Sequence, residues 1–141
     1  MKSPTLPLSL ALVCAAAAAE PVFEMQDLFE DVRIPNITVA TDGTVLAFAD
    51  SGKLLRRSAD HGKTWSPVQQ VGSDARGSAI VDATTGDVMV VASGRGYLWR
   101  SKDHGQTWAR EEIVLKPNAI DHGTPDGVPS DTRCSESGIT L

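Results

Sequence analysis

Apolar positions in this chain fall in short runs rich in Val, Ile, Leu and Thr, broken at close intervals by turn dipeptides. Asp42-Gly43, Ser51-Gly52, His61-Gly62, Thr85-Gly86 and His104-Gly105 mark the breaks, where glycine supplies the positive φ that tight hairpins need. The runs suit half-buried pleated surfaces. They predict strands near residues 36–41, 44–50, 53–58 and 64–69, then near 78–83, 87–93, 96–101 and 107–113. No segment has a sustained helical period, and residues 24–31 offer at most one helical turn. The predicted class is all-β.

The two sets of four strands are copies of one unit. Ser58-Ala59-Asp60-His61-Gly62-Lys63-Thr64-Trp65 recurs 43 residues later as Ser101-Lys102-Asp103-His104-Gly105-Gln106-Thr107-Trp108. A repeat of this length with several strands per unit is the signature of β-propeller blades. The octet fits the Asp-box pattern, Ser-x-Asp-x-Gly-x-Thr-Trp. Its aspartates, Asp60 and Asp103, resemble catalytic carboxylates in isolation. In a tight hairpin, however, an Asp accepts backbone N–H bonds two or three residues on, so both are expected to be structural. Gly62 and Gly105 permit the turn, Thr64 and Thr107 open the next strand, and Trp65 and Trp108 are expected to pack between neighbouring blades. The expected architecture is a propeller of four-stranded antiparallel blades, with blade one at 33–72, blade two at 77–114, a loop at 115–135 and the start of a third blade at 136–141. A ring closes with about four to eight blades, so the sequence reads as part of a longer parent; an oligomer of two-blade units is the poorer alternative.

Residues 1–19 have the layout of a secretory signal peptide: Lys2, an apolar run from Leu6 to Val13, and small residues Ala15 to Ala19. The expected location is outside the cytoplasm, extracellular or periplasmic, and the apolar run is too short for a permanent membrane span. Residues 20–32 form a lead-in. Cys134 is then the one cysteine left in the mature chain, and Asn36-Ile37-Thr38 is a formal glycosylation sequon. The net charge of −5 and the lack of a basic cluster larger than Arg56-Arg57 argue against nucleic acid. An anionic ligand would need locally placed arginines. His61 and His104 sit in turns expected to be exposed and do not form a metal-ligand pattern, and no cofactor is expected. Arg56, Arg57 and Arg100 are expected on solvated strand faces. Tyr97 aligns with Leu54 in the repeat, which gives it a structural place.

The motifs resemble, in order and spacing, the opening of the sialidase superfamily: Arg33-Ile34-Pro35, the Asp42-Gly43 turn, Leu46-Ala47-Phe48-Ala49-Asp50, and the first Asp box. Glu136-Ser137-Gly138-Ile139-Thr140-Leu141 is similar to the strand that follows the second box in that family. The resemblance covers roughly residues 31–141. It implies a six-bladed propeller that removes terminal sialic acids with retention, using a Tyr nucleophile. It also implies a triad of arginines gripping the substrate carboxylate, since guanidinium forks match carboxylates bidentately. Arg33 corresponds to the first of the triad; the others, the Tyr and its Glu partner are expected beyond Leu141, and the 141-residue product alone is expected to lack turnover. The family's acid/base Asp normally lies in a loop that is here only Ser51-Gly52-Lys53-Leu54-Leu55, leaving Asp50 as the nearest candidate. Glu136 is a candidate ligand, and Asp121, His122, Asp126 and Asp131 in the turn-rich stretch 116–136 are open to sugar or cation contacts or to solvent. The expected partners are sialylated or related acidic glycans. The competing reading is a non-catalytic Asp-box propeller that binds a glycan or protein.

Overall fold

In the computed structural model, residues 23–92 and 96–114 are described, and they form two four-stranded sheets with no helix. Residues 24–31 do not make the helical turn allowed for above. The first sheet comprises β1 (Asn36–Val39), β2 (Val45–Ala49), β3 (Leu54–Ser58) and β4 (Gln69–Gln70). The second comprises β5 (Gly77–Val81), β6 (Val88–Ala92), β7 (Tyr97–Ser101) and β8 (Ala109–Glu112). In each, sequential strands pair antiparallel, as in a propeller blade.

The fourth strand of blade one is shorter than its predicted span of 64–69, and the reason is local. The β3–β4 register would set Pro67 opposite Arg57, and proline has no N–H to donate to a ladder. Ser66 takes over: its N–H donates to the Arg57 carbonyl at 2.8 Å, and its Oγ accepts the Arg57 N–H at 2.9 Å. Blade two has Arg110 at the equivalent position, and β8 runs four residues.

The core lies between the sheets. Leu46, Phe48 and Leu55 of blade one are at most 1% exposed and cluster with Val88 and Val90 of blade two. Alternate residues of β2 face blade two, and the opposite face carries Ala47 and Arg56 as a cross-strand pair. There the Arg56 guanidinium lies 5.9 Å from the centre of the Phe29 ring, so the lead-in covers that side of blade one.

The second Asp box closes the seam between the blades. Trp108 meets Phe48 edge to face, with ring centres 6.0 Å apart. Arg57 Nε donates to the His104 carbonyl at 3.0 Å, and Gln69 Nε2 to the Gly105 carbonyl at 2.9 Å. Two expectations are corrected here. His104 is half-buried against blade one, its Nδ1 3.8 Å from an Asp42 carboxylate oxygen, whereas its repeat counterpart His61 is exposed. Arg57 and Arg100 are half-buried and bonded rather than free on a solvated face: Arg57 spans the seam, and Arg100 bridges Asp87 and Glu111 at 2.9 and 2.8 Å.

Candidate functional site

Strand register divides the functional candidates between two ends of the sheets. Val39 pairs with Val45, and Val45 with Ser58, so the Asp42-Gly43 turn and the first Asp box share one end. Asn36 pairs with Phe48, Phe48 with Leu55, and Leu55 with Gln69, so Arg33, Asp50 and Lys53 lie at the other. Blade two repeats the division, with its box after Ser101 and with Gly77 and Tyr97 at the far end.

At the box end, both box aspartates are held by their own hairpins. Ser58 Oγ donates to Asp60 at 2.8 Å and accepts the Gly62 N–H at 2.8 Å. The Thr64 N–H and hydroxyl donate to the two Asp60 oxygens at 2.8 and 2.6 Å. Ser101, Asp103, Gly105 and Thr107 reproduce these bonds at the same distances. The turns place His61 and His104 at φ of 60° and 56°. The Thr64 hydroxyl and N–H, then Ser58, hold Asp60 down to a pKa of about 2. At Asp103 burial works the other way, but Thr107, Ser101 and Gln106 outweigh it and hold the group at about 2. A carboxylate this acidic and this fully occupied cannot serve as a general acid near neutral pH. Both boxes are therefore structural staples. Trp65 extends the staple, its Nε1 donating to the Gly62 carbonyl at 3.0 Å.

The opposite end is built differently. Arg33 is exposed, and its carbonyl accepts the Asp50 N–H at 2.8 Å. Between Arg33 and the strand, Ile34 has φ of 52°, a conformation that a β-branched residue avoids. Backbone strain of this kind, held by surrounding structure, is concentrated at functional sites. Asp50 and Ser51 follow with φ of 50° and 57° and turn the chain into β3. Gly52 completes the turn at φ 82°; a Cβ there would lie 2.6 Å from the Gly77 carbonyl oxygen, so only glycine lets the two blades approach. The Gly77 N–H donates to the Ser51 carbonyl at 2.7 Å. The β2–β3 turn of blade one is thereby locked to the first strand of blade two.

This junction encloses a cavity of about 230 Å3 lined by Asp50, Ser51, Lys53, Ser73, Asp74, Ala75 and Arg76. Its far wall is the connector between the blades, and blade two holds it down. Tyr97 is 5% exposed, in the structural place expected from the repeat, and its hydroxyl donates to the Asp74 carbonyl at 3.1 Å. Trp99 Nε1 donates to the Asp74 carboxylate at 3.0 Å, and Arg110 Nε lies 3.6 Å from the other oxygen. Trp99 fits only because residue 72 is glycine, since a Cβ there would sit 2.2 Å from its ring.

The structure thus joins Arg33 and Asp50 through their main-chain atoms. It adds Lys53 and Arg76, which sequence reasoning did not single out. The signal was present: Arg76 is 43 residues after Arg33, the same offset that separates the two boxes. Glu136, Cys134, the stretch 116–136 and the leader 1–19 lie outside the described residues. Among the described residues no group of three His, Cys, Asp or Glu side chains is placed to hold a metal ion.

Comparison with protein families agrees with the geometry. The family described as BNR/Asp-box repeat matches residues 56–67 and 99–110. The chain carries two such repeats, one between β3 and β4 and one between β7 and β8. Repeats of this kind occur in glycoside hydrolases such as sialidases and in other proteins.

Proposed function

We propose that this chain is the opening part of an exported exo-α-sialidase-type glycoside hydrolase, and that its end opposite the Asp boxes binds the carboxylate of a terminal sialic acid on a glycan. One observation carries the reading: Arg33 of the Arg-Ile-Pro motif stands exposed at that end, next to a strained Ile34 and fixed through its carbonyl to Asp50. A planar guanidinium fork matches a carboxylate bidentately, and the carbonyl bond fixes where that side chain leaves the backbone. Asp50, adjacent to it, takes the acid/base role in this reading. Tyr97, the single tyrosine of the chain, is buried and hydrogen-bonded to the connector. The proposed hydrolysis therefore draws its nucleophile from sequence outside these 141 residues.

The test is hydrolysis of a fluorogenic sialoside by the parent protein and its Arg33→Ala variant. Loss of a charged hydrogen-bonding partner lowers kcat/KM by about 10- to 100-fold. An unchanged kcat/KM would remove Arg33 from the substrate.

A second reading, a glycan-binding propeller without turnover, is favoured by one feature. The β2–β3 turn is so short that Asp50 is its sole carboxylate. Binding of sialosides without hydrolysis by the parent selects this reading.

A further inference from the structure

We propose that the seam between the blades, at the end away from the Asp boxes, is an anion subsite in which Lys53 and Arg76 receive a second negatively charged group of the ligand. The inference rests on the acidic-glycan reading above and narrows its substrate class to acidic sugars that carry a further oxyanion, a sulfate ester or a second carboxylate.

Four observations support it. Lys53 and Arg76 line one cavity, together with the hydroxyl-bearing Ser51 and Ser73. Among the described residues neither cation forms an ion pair, and nor does Arg33. Of the two carboxylates in the wall, Asp74 is already occupied by Trp99 and Arg110. Lys53 and Arg76 thus share the wall with Asp50 and the already bonded Asp74, and remain cations without an ion pair among the described residues of a chain of net charge −5. An acidic protein repels anionic glycans at long range, so unpaired cations collected at one cleft mark where such a ligand is drawn.

Both cations are also positioned by backbone rather than borne on loose loops. The Lys53 N–H donates to the Asp50 carbonyl at 3.3 Å, and its carbonyl accepts the Val71 N–H at 2.9 Å. Arg76 leaves the connector between Asp74, clamped by Tyr97 and Trp99, and Gly77, bonded to Ser51. A guanidinium, an ammonium and two hydroxyls lining one cavity are the donor types that suit an oxyanion.

The experiment is an amide NMR titration of the 15N-labelled parent protein with sodium sulfate and, separately, sodium acetate, each against sodium chloride at equal ionic strength. Saturable shifts are expected at residues 51–53 and 73–77, and the tighter of the two anions identifies the group. Lys53→Ala and Arg76→Ala each weaken binding about threefold, as exposed charged contacts do. Both side chains are outside the core, so the variants keep the fold, and Lys102→Ala at the box end leaves binding intact. Shifts that are absent, that appear equally around Lys102, or that persist in the Lys53→Ala/Arg76→Ala double variant overturn the subsite. A parallel titration with N-acetylneuraminate separates the two claims: shifts around Arg33 without any sulfate or acetate response leave the sialidase-type reading standing and the subsite refuted, whereas an anion response without shifts around Arg33 does the reverse.

Discussion

The backbone N–H of Asp50 donates to the carbonyl oxygen of Arg33 at 2.8 Å. This one bond ties the residue that would grip a carboxylate to the residue that would deliver a proton. It involves main-chain atoms only, so either side chain can be changed without breaking it. Asp50→Asn is therefore informative. Asn tolerates the left-handed backbone found there, and stability should change by less than about 0.5 kcal/mol. Loss of the acid should lower kcat of the parent on a fluorogenic sialoside by about 100-fold or more, with KM little changed. Equal kcat values for variant and wild type would take Asp50 out of the proton transfer.

The Asp boxes should behave as staples. Asp103→Ala leaves the Gln106 N–H and the Thr107 N–H and hydroxyl without their acceptor and should cost about 1–3 kcal/mol in urea denaturation. Binding of N-acetylneuraminate by the variant, measured where it is still folded, should match wild type. A variant that unfolds like wild type but loses binding would move the site to the box end.

Acid should weaken both staples together. Asp60 and Asp103 have folded pKa values of about 2, below the ordinary value of 3.8. A depressed carboxylate contributes stability that is fully present above its unfolded pKa and lost as pH falls through the folded one. The window is therefore about pH 4 down to pH 2. Asp82, held low by the Thr84 N–H, adds to it, as does Asp42, where Thr44, His104 and Arg57 outweigh burial. Urea midpoints should be flat from pH 7 to 5 and fall steeply below pH 4. An Asp60→Asn/Asp103→Asn double variant should start lower and fall less. A wild-type midpoint that stays flat to pH 2 would contradict the assignment.

The two box tryptophans occupy unequal places in the described structure. Trp108 packs on Phe48 across the seam, whereas Trp65 has a solvent-open surface beside Glu24 and Gln26. Phe48→Ala, at 1% exposure, should cost about 3–5 kcal/mol. Trp108→Ala should cost about 2–3 kcal/mol and Trp65→Ala clearly less, because only Trp108 packs against the core and Phe48. Thermal denaturation orders the three, and a Trp65→Ala variant weaker than Trp108→Ala would contradict the seam.

Much of this was legible in the sequence because repetition amplifies local signals. The octet appears twice, so the hairpin chemistry of Asp60 and Asp103, and the structural place of Tyr97, followed from comparing two copies. What was hidden depended on contacts between copies. Nothing local to His104 distinguishes it from His61, yet only His104 has a blade to lean on. Pro67 against Arg110 explains why β4 is short and β8 is not, a difference that strand-forming composition alone does not register. Lys53 and Arg76 look like surface charges until the Ser51–Gly77 bond draws their segments into one cavity wall. The order Arg33, Asp50, first box located the candidate end only once register was known, since register decides which turns share an end.

The central claim is that ligand binding resides at the end of Arg33 and Asp50 and that the Asp boxes take no part. The most direct test is a map of amide chemical-shift changes in the 15N-labelled parent protein on titration with N-acetylneuraminate. The account predicts saturable changes at Arg33, Ile34, Asp50 and Ser51, abolished by Arg33→Ala, with the amides of residues 58–64 and 101–107 unmoved. Changes concentrated at those box amides, or unaffected by Arg33→Ala, would contradict it.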